Sequence, residues 1–283
     1  MQNSFRLLCL FGVLTIAVQA SHAIELKKRT VDAFDRYTRL TEERIDSEKN
    51  DSGFLYFDKL PADQKKALVD RMKAGEVVID KMQTLDHGKE IDVPEGMIHH
   101  WRAVAFVGGT TLAKTTALVQ DYDHHYQIYK PDVQRSELMK REGNDFHIYY
   151  RLRRKKVITV VMDTRYDVQY EPLSPKRMSS KSISTSIRQI DNPGEQNEKA
   201  EPEGDDSGFM WRLDSYWHME ERDGGVYIQC EAVSLSRDIP TGLGWMIRPF
   251  VESVPKESLM FTLGRTREAL LQREAQANLA KAK

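Results

Sequence analysis

The spacing of apolar residues changes near residue 76. Before it, residues 25–49 lack glycine and proline and place Val31, Phe34, Tyr37, Thr38, Leu40 and Ile45 at helical intervals. Acids and bases mix on the opposite face, which predicts a helix packed on the domain rather than one lying in a membrane. After GFLYF at 53–57, LPADQKKALVDRMKAG starts with a proline and stops at Gly75, predicting a second, shorter helix.

From residue 76 the period is two. Strands are predicted at 76–83 and 97–107, then a helix capped by Thr110 and ended by Pro131. Further strands are predicted at 132–142, 145–153, 157–171, 177–190, 208–221 and 226–237. Pro255 is expected to open a last helix with Leu259, Leu263, Thr266 and Leu270 on one stripe. Residues 191–206 hold seven acids and one lysine, with no apolar side chain larger than alanine, and are expected to form a mobile insertion loop.

Alternation assigns the faces. Phe146, Ile148 and Tyr150 share one side of their strand, as do Val160, Met162 and Tyr166, while Arg151, Arg153, Asp163 and Arg165 are expected to face water. A two-residue turn at Asp223-Gly224 pairs Arg222 with Gly225, Met219 with Ile228, Trp217 with Cys230, Ser215 with Ala232 and Leu213 with Ser234. The other side of that hairpin, with Tyr216, His218, Glu220, Gln229 and Glu231, is expected to be wet. The serine-rich strand MSSKSISTSI is expected to be an edge strand with a polar outer face.

Composition adds a destination and removes several functions. Residues 1–23 run from one arginine through an apolar stretch to Ser21-His22-Ala23, the order of a secretory signal peptide. Export, periplasmic or secreted, follows as an expectation. Past that segment only Cys230 remains, so no internal disulfide forms, and its apolar neighbours predict a small buried side chain rather than a nucleophile. Lysine and arginine (42) nearly balance aspartate and glutamate (43), which argues against nucleic acid as a partner. The run RLRRKK at 151–156 is expected to be a solvated hairpin end, with transient membrane-surface contact as the alternative.

KTTALVQDYDHHYQIYKPDV resembles the helix-to-strand passage of the START-like (SRPBCC) superfamily, on Leu118, Asp121, Tyr122, Pro131 and Val133. The tail from SLSRDIPTGLGW to RTREAL is similar to that superfamily's last strand, crossing segment and C-terminal helix. The resemblance implies an α+β helix-grip fold: a curved antiparallel sheet wrapped around a long C-terminal helix, leaving a ligand cavity between them. The chain then divides into a signal peptide (1–23), an N-terminal helical extension (24–75) and the helix-grip domain (76–283) containing the insertion at 191–206.

The function this implies is an exported, monomeric binding protein for a lipid or other hydrophobic small molecule. The expected lining is Phe146, Ile148, Tyr150, Val160, Met162 and Tyr166 from two strands, Trp211, Leu213, Trp217 and Met219 from a third, and Leu259 and Leu263 from the helix. No catalytic residue, cofactor or metal is assigned. The adjacent pairs His99-His100 and His124-His125 diverge too far to chelate, and TGLG at 241–244 lacks a phosphate loop's lysine. A cyclase or dehydratase acting on an aromatic or polyketide-like substrate, positioned by Tyr150, Tyr166 and Trp217, is the alternative. An interaction protein with a filled core is the third reading.

Overall fold

The computed structural model describes residues 24–49, 53–156, 158–239 and 244–281, with side chains over 26–49, 53–156, 158–239 and 251–280. The expected signal peptide and all but the last residue of TGLG lie outside the described residues. Strand β1 (Ile24–Glu25) leads into helix α1 (Lys28–Lys49), a 3-10 turn (Tyr56–Lys59) and α2 (Ala62–Lys73). Then come β2 (Val78–Lys81), the small hairpin β3 (Leu85–Asp86) and β4 (Lys89–Glu90), and the long β5 (Gly96–Gly108). Helices α3 (Leu112–Val119) and α4 (His125–Ile128) precede β6 (Val133–Glu142), β7 (Asp145–Lys155), β8 (Thr159–Ser174) and β9 (Arg177–Asp191). The chain ends with β10 (Lys199–Ala200), β11 (Asp205–Asp206), β12 (Arg212–Arg222), β13 (Gly225–Arg237) and α5 (Gly244–Lys281).

The main sheet is antiparallel, in the order β2-β5-β13-β12-β9-β8-β7-β6, with β10 added beside β9. Helix α5 packs along β5 and β13, where Leu259 and Leu263 meet Ala103, Ala105 and Cys230. The far edge of the sheet curls back to reach the same helix: Arg154 and Lys156, at the end of β7, both bond Glu257, at 3.0 and 2.7 Å. A sheet that holds one long helix from both sides is the helix-grip fold.

The β12-β13 register is the expected one throughout, from Arg222↔Gly225 to Leu213↔Ser234. Asp223 (φ 56°) and Gly224 (φ 75°) both adopt the left-handed conformation that a two-residue turn of this twist requires. Gly225 permits a close approach, since a Cβ there would fall 2.2 Å from the Val107 carbonyl on β5.

Several expectations need correction. Helix α5 begins at Gly244, so Pro255 lies inside it, where it withholds the backbone donor that Val251 would receive. The helix after residue 110 is capped by Thr111, whose hydroxyl accepts from the Lys114 N–H, and it breaks at Asp121. The insertion is not a bare loop: β10 pairs with β9 and β11 pairs with β1, tying it to the N-terminal extension. Strand β9 is not an edge, because it lies between β12 and β8, and its Ser180 and Ser182 turn toward the concave face, Ser180 opposite Trp217 and Tyr170.

The largest correction concerns the convex face. Tyr216, Val233 and Leu235 pack with Phe34, Tyr37 and Ile45 of α1, while Val104, Phe106 and Tyr227 pack with Phe54, Leu55 and Phe57. The face expected to be wet is therefore buried under the extension. Most of its polar groups find partners there, although His218 Nε2 is left without a hydrogen bond among the described residues. His100 Nε2 lies 2.7 Å from Glu231, which also bonds Arg44, and Tyr37 Oη lies 2.9 Å from His100 Nδ1. The Tyr56 N–H donates to Gln229 (3.0 Å) and the His218 Nδ1–H donates to the Phe54 carbonyl (3.0 Å), with the two rings stacked.

Candidate functional site

Strand pairing lays rows of side chains across the concave face. One row runs Trp101, Ala232, Ser215, Ser182, Val168 and Phe146; the next runs Ala103, Cys230, Trp217, Ser180 and Tyr170. The middle of this floor is made largely of alanine, serine and cysteine; Ala103 and Cys230 meet Leu259 and Leu263 of α5, while Ser182, Ser215 and Ala232 stay partly accessible. Trp101, Leu213, Ser215, Trp217, Ser182, Ala232 and Tyr150 face into the grip yet stay partly accessible. On the helix, Val251 through Ser258 are also only half-buried, and among the described side chains the first buried one is Leu259. From Leu259 onward α5 packs closely on this floor, while Val251 to Ser258 stay partly accessible.

The sealed end is aromatic. Phe146, Ile148, Tyr166 and Met219 join Tyr122, Tyr170 and Leu270 in one cluster, and Tyr129 Oη lies 2.9 Å from Thr266 Oγ1 on α5. His125 Nδ1 lies 2.6 Å from Tyr150 Oη. Burial lowers the pKa of His125 to about 4, raises that of Tyr129 to about 12, and pushes the Tyr150 hydroxyl and Cys230 thiol well up. All four are uncharged at neutral pH. An interior of neutral groups can hold an apolar body and supply a few hydrogen bonds; it offers no thiolate and no charged base.

The expected lining residues divide into groups. Leu213, Trp217 and Tyr150 bound the half-open part, and Leu259 and Leu263 form its helical wall. Met162 lies on the same side of β8, and Val160 sits at the rim, paired with Arg154. Phe146, Ile148, Tyr166 and Met219 belong to the sealed cluster. Trp211 is elsewhere: it precedes the start of β12, so strand alternation does not govern it. It packs with Phe34 and Leu235 on the convex side, its indole N–H donating to Asp206 at 3.2 Å. Ile158, on the same alternation as Val160, is exposed at the hairpin end.

Trp101, Ser182, Ser215 and Ala232 also line the site, and the sequence reading misses them. Their signal is present, because Trp101 alternates with His99, Ala103 and Ala105, but small residues do not announce a cavity until the sheet curves. Lys256 of α5 lies 5.6 Å from the centre of the Trp101 ring, a cation over an aromatic face at the mouth.

No protein-family model matches the chain, and no curated protein does. Solved structures do. TTHA0849 from Thermus thermophilus is 14% identical at a TM-score of 0.44, covering 61% of this chain and 97% of that one. A STAR-related lipid transfer protein fragment from Xanthomonas axonopodis is 16% identical at 0.43, covering 68% and 98%. The Zhui aromatase/cyclase from Streptomyces sp. R1128 is 11% identical at 0.42, covering 62% and 96%. The helix-grip character of this chain is seen in its own strand order and its clasped helix.

Proposed function

We propose that this protein binds a lipid or other hydrophobic small molecule between the concave face and the N-terminal half of α5. One observation carries the reading: Trp101, Leu213 and Trp217 face into the grip and stay partly accessible beside the short side chains of Ser182, Ser215 and Ala232. Partly accessible aromatic and aliphatic walls with a few neutral polar groups suit the binding of an apolar body. The neutral state of His125, Tyr150 and Cys230 supports holding over turnover. The signal-peptide order of residues 1–23 supports a role outside the cytoplasm, with brief contact at a membrane surface to load or release ligand.

Native mass spectrometry of protein purified without detergent tests this. A co-purified apolar ligand, or uptake of one equivalent of nile red by the empty protein, is the expected result. Bare protein that also refuses nile red contradicts it.

A further inference from the structure

Strand β1 starts at Ile24, the first residue past the Ser21-His22-Ala23 order that ends a signal peptide. It pairs with β11 of the acidic insertion, Ile24 opposite Asp206 and Glu25 opposite Asp205. The Leu26 N–H donates to the Gly204 carbonyl at 2.6 Å. Hydrogen-bonded pairs recur at every second residue of an antiparallel ladder, so two residues back the Ile24 nitrogen is again turned toward β11, at Asp206.

Asp206 is a buried carboxyl, 3% exposed, that makes no ion pair among the described residues. Its Oδ1 accepts from the Gly208 N–H at 2.7 Å and from the Trp211 indole N–H at 3.2 Å, while Oδ2 receives no hydrogen bond among the described residues. Burial raises its pKa, Asp205 and Glu201 add like charge, and Arg237 acts on it from beyond ion-pair distance. A buried carboxylate is costly without a cation beside it. Hydrolysis of the Ala23–Ile24 bond supplies one. Water gives its hydroxyl to the Ala23 carbonyl carbon and a proton to the Ile24 nitrogen, which takes a second proton from solvent because an α-amine has a pKa of about 8. The neutral amide turned toward Asp206 becomes an ammonium.

We propose that removal of the signal peptide completes the fold: the new α-ammonium of Ile24 pairs with Asp206 and pins the insertion, with Trp211 packed on Phe34, against the N-terminal extension. This pairing rests on the export reading of residues 1–23, and the two fail separately. N-terminal sequencing of the exported protein should begin at Ile24; any other first residue overturns the cleavage site and the pairing with it. Thermal unfolding then compares the full mature chain, residues 24–283, with a free Ile24 amine and with that amine acetylated. The free chain should melt at least about 3 °C higher. Asp206→Asn, which keeps an oxygen for the Gly208 and Trp211 donors, should erase the difference. The Ile24 amine should also titrate above about 8 and return to that value in Asp206→Asn. Equal melting temperatures for the free and acetylated chains, or a gap that survives Asp206→Asn, overturn the pairing even where Ile24 is the first residue.

Discussion

Trp217 stands directly across the β12-β13 hairpin from Cys230 and, on its other side, directly across from Ser180. One large ring between two small side chains keeps part of its surface accessible within the grip. Because the site is not sealed, Trp217→Ala should cost about 2–3 kcal/mol, below the ~3–5 typical of a fully packed tryptophan. Urea unfolding measures this. A loss at the top of that range or beyond would mean that the ring fills a core.

The convex face should behave in the opposite way. Glu231 is buried between His100 and the partly exposed Arg44, which keeps Glu48 as a partner, so removing it leaves the buried His100 imidazole without its acceptor. Glu231→Ala should cost about 2–3 kcal/mol by chemical denaturation. A change under about 1 kcal/mol would show that the extension does not depend on this pair.

Acid should destabilise the fold over a definite window. Burial lowers His99, His125 and His218 to about 4 from an ordinary 6.5. Below 6.5 the unfolded chain takes up these protons while the folded chain resists until about 4. Their contribution is thus complete above pH 6.5 and is lost as pH falls toward 4. Asp214 runs the other way: burial raises its carboxyl to about 7, so its contribution is present below 3.8 and is lost as pH rises through 7. His100 is lowered by burial as well, so four imidazoles outweigh Asp214 and unfolding takes up protons between pH 6.5 and 4. Stability measured against pH should therefore fall with acid in that interval, and His218→Gln should remove about one proton of the slope. A flat or rising profile contradicts this.

The clasp at Glu257 should govern exchange more than stability. Its partners Arg154 and Lys156 are partly exposed, so Glu257→Gln should change stability by less than about 1 kcal/mol. The same change loosens the only ion pairs, among the described residues, that join the β7-β8 hairpin to α5. Stopped-flow release of nile red should quicken several-fold; an unchanged rate would show that the clasp is not a gate.

Much of the concave face was legible because alternation and one turn determine it: Asp223-Gly224 sets the register that places Trp217 against Cys230. The convex face was not legible. His218, Glu220, Gln229 and Glu231 alternate as a solvated surface does, and only the docking of Phe34, Phe54 and Phe57 from far earlier in the chain buries them. The serines of β9 misled for a related reason, since a small polar residue suits a wet edge or a roomy interior equally well. Pro255 suggested a helix start where the helix passes through it, because the first-turn preference of proline is a tendency that a long packed helix overrides.

Ser215→Phe tests the central claim most directly. Ser215 lies on the half-open floor between Ala232 and Ser182, so a phenyl ring there should occupy the ligand's space rather than displace a packed neighbour. In paired titrations, wild type should bind one equivalent of nile red, and Ser215→Phe should bind at least about tenfold more weakly with a melting temperature within a few degrees of wild type. A variant that loses about 1–3 kcal/mol of stability, as an overpacked core does, in a protein whose wild type takes up no nile red, would contradict the existence of the site.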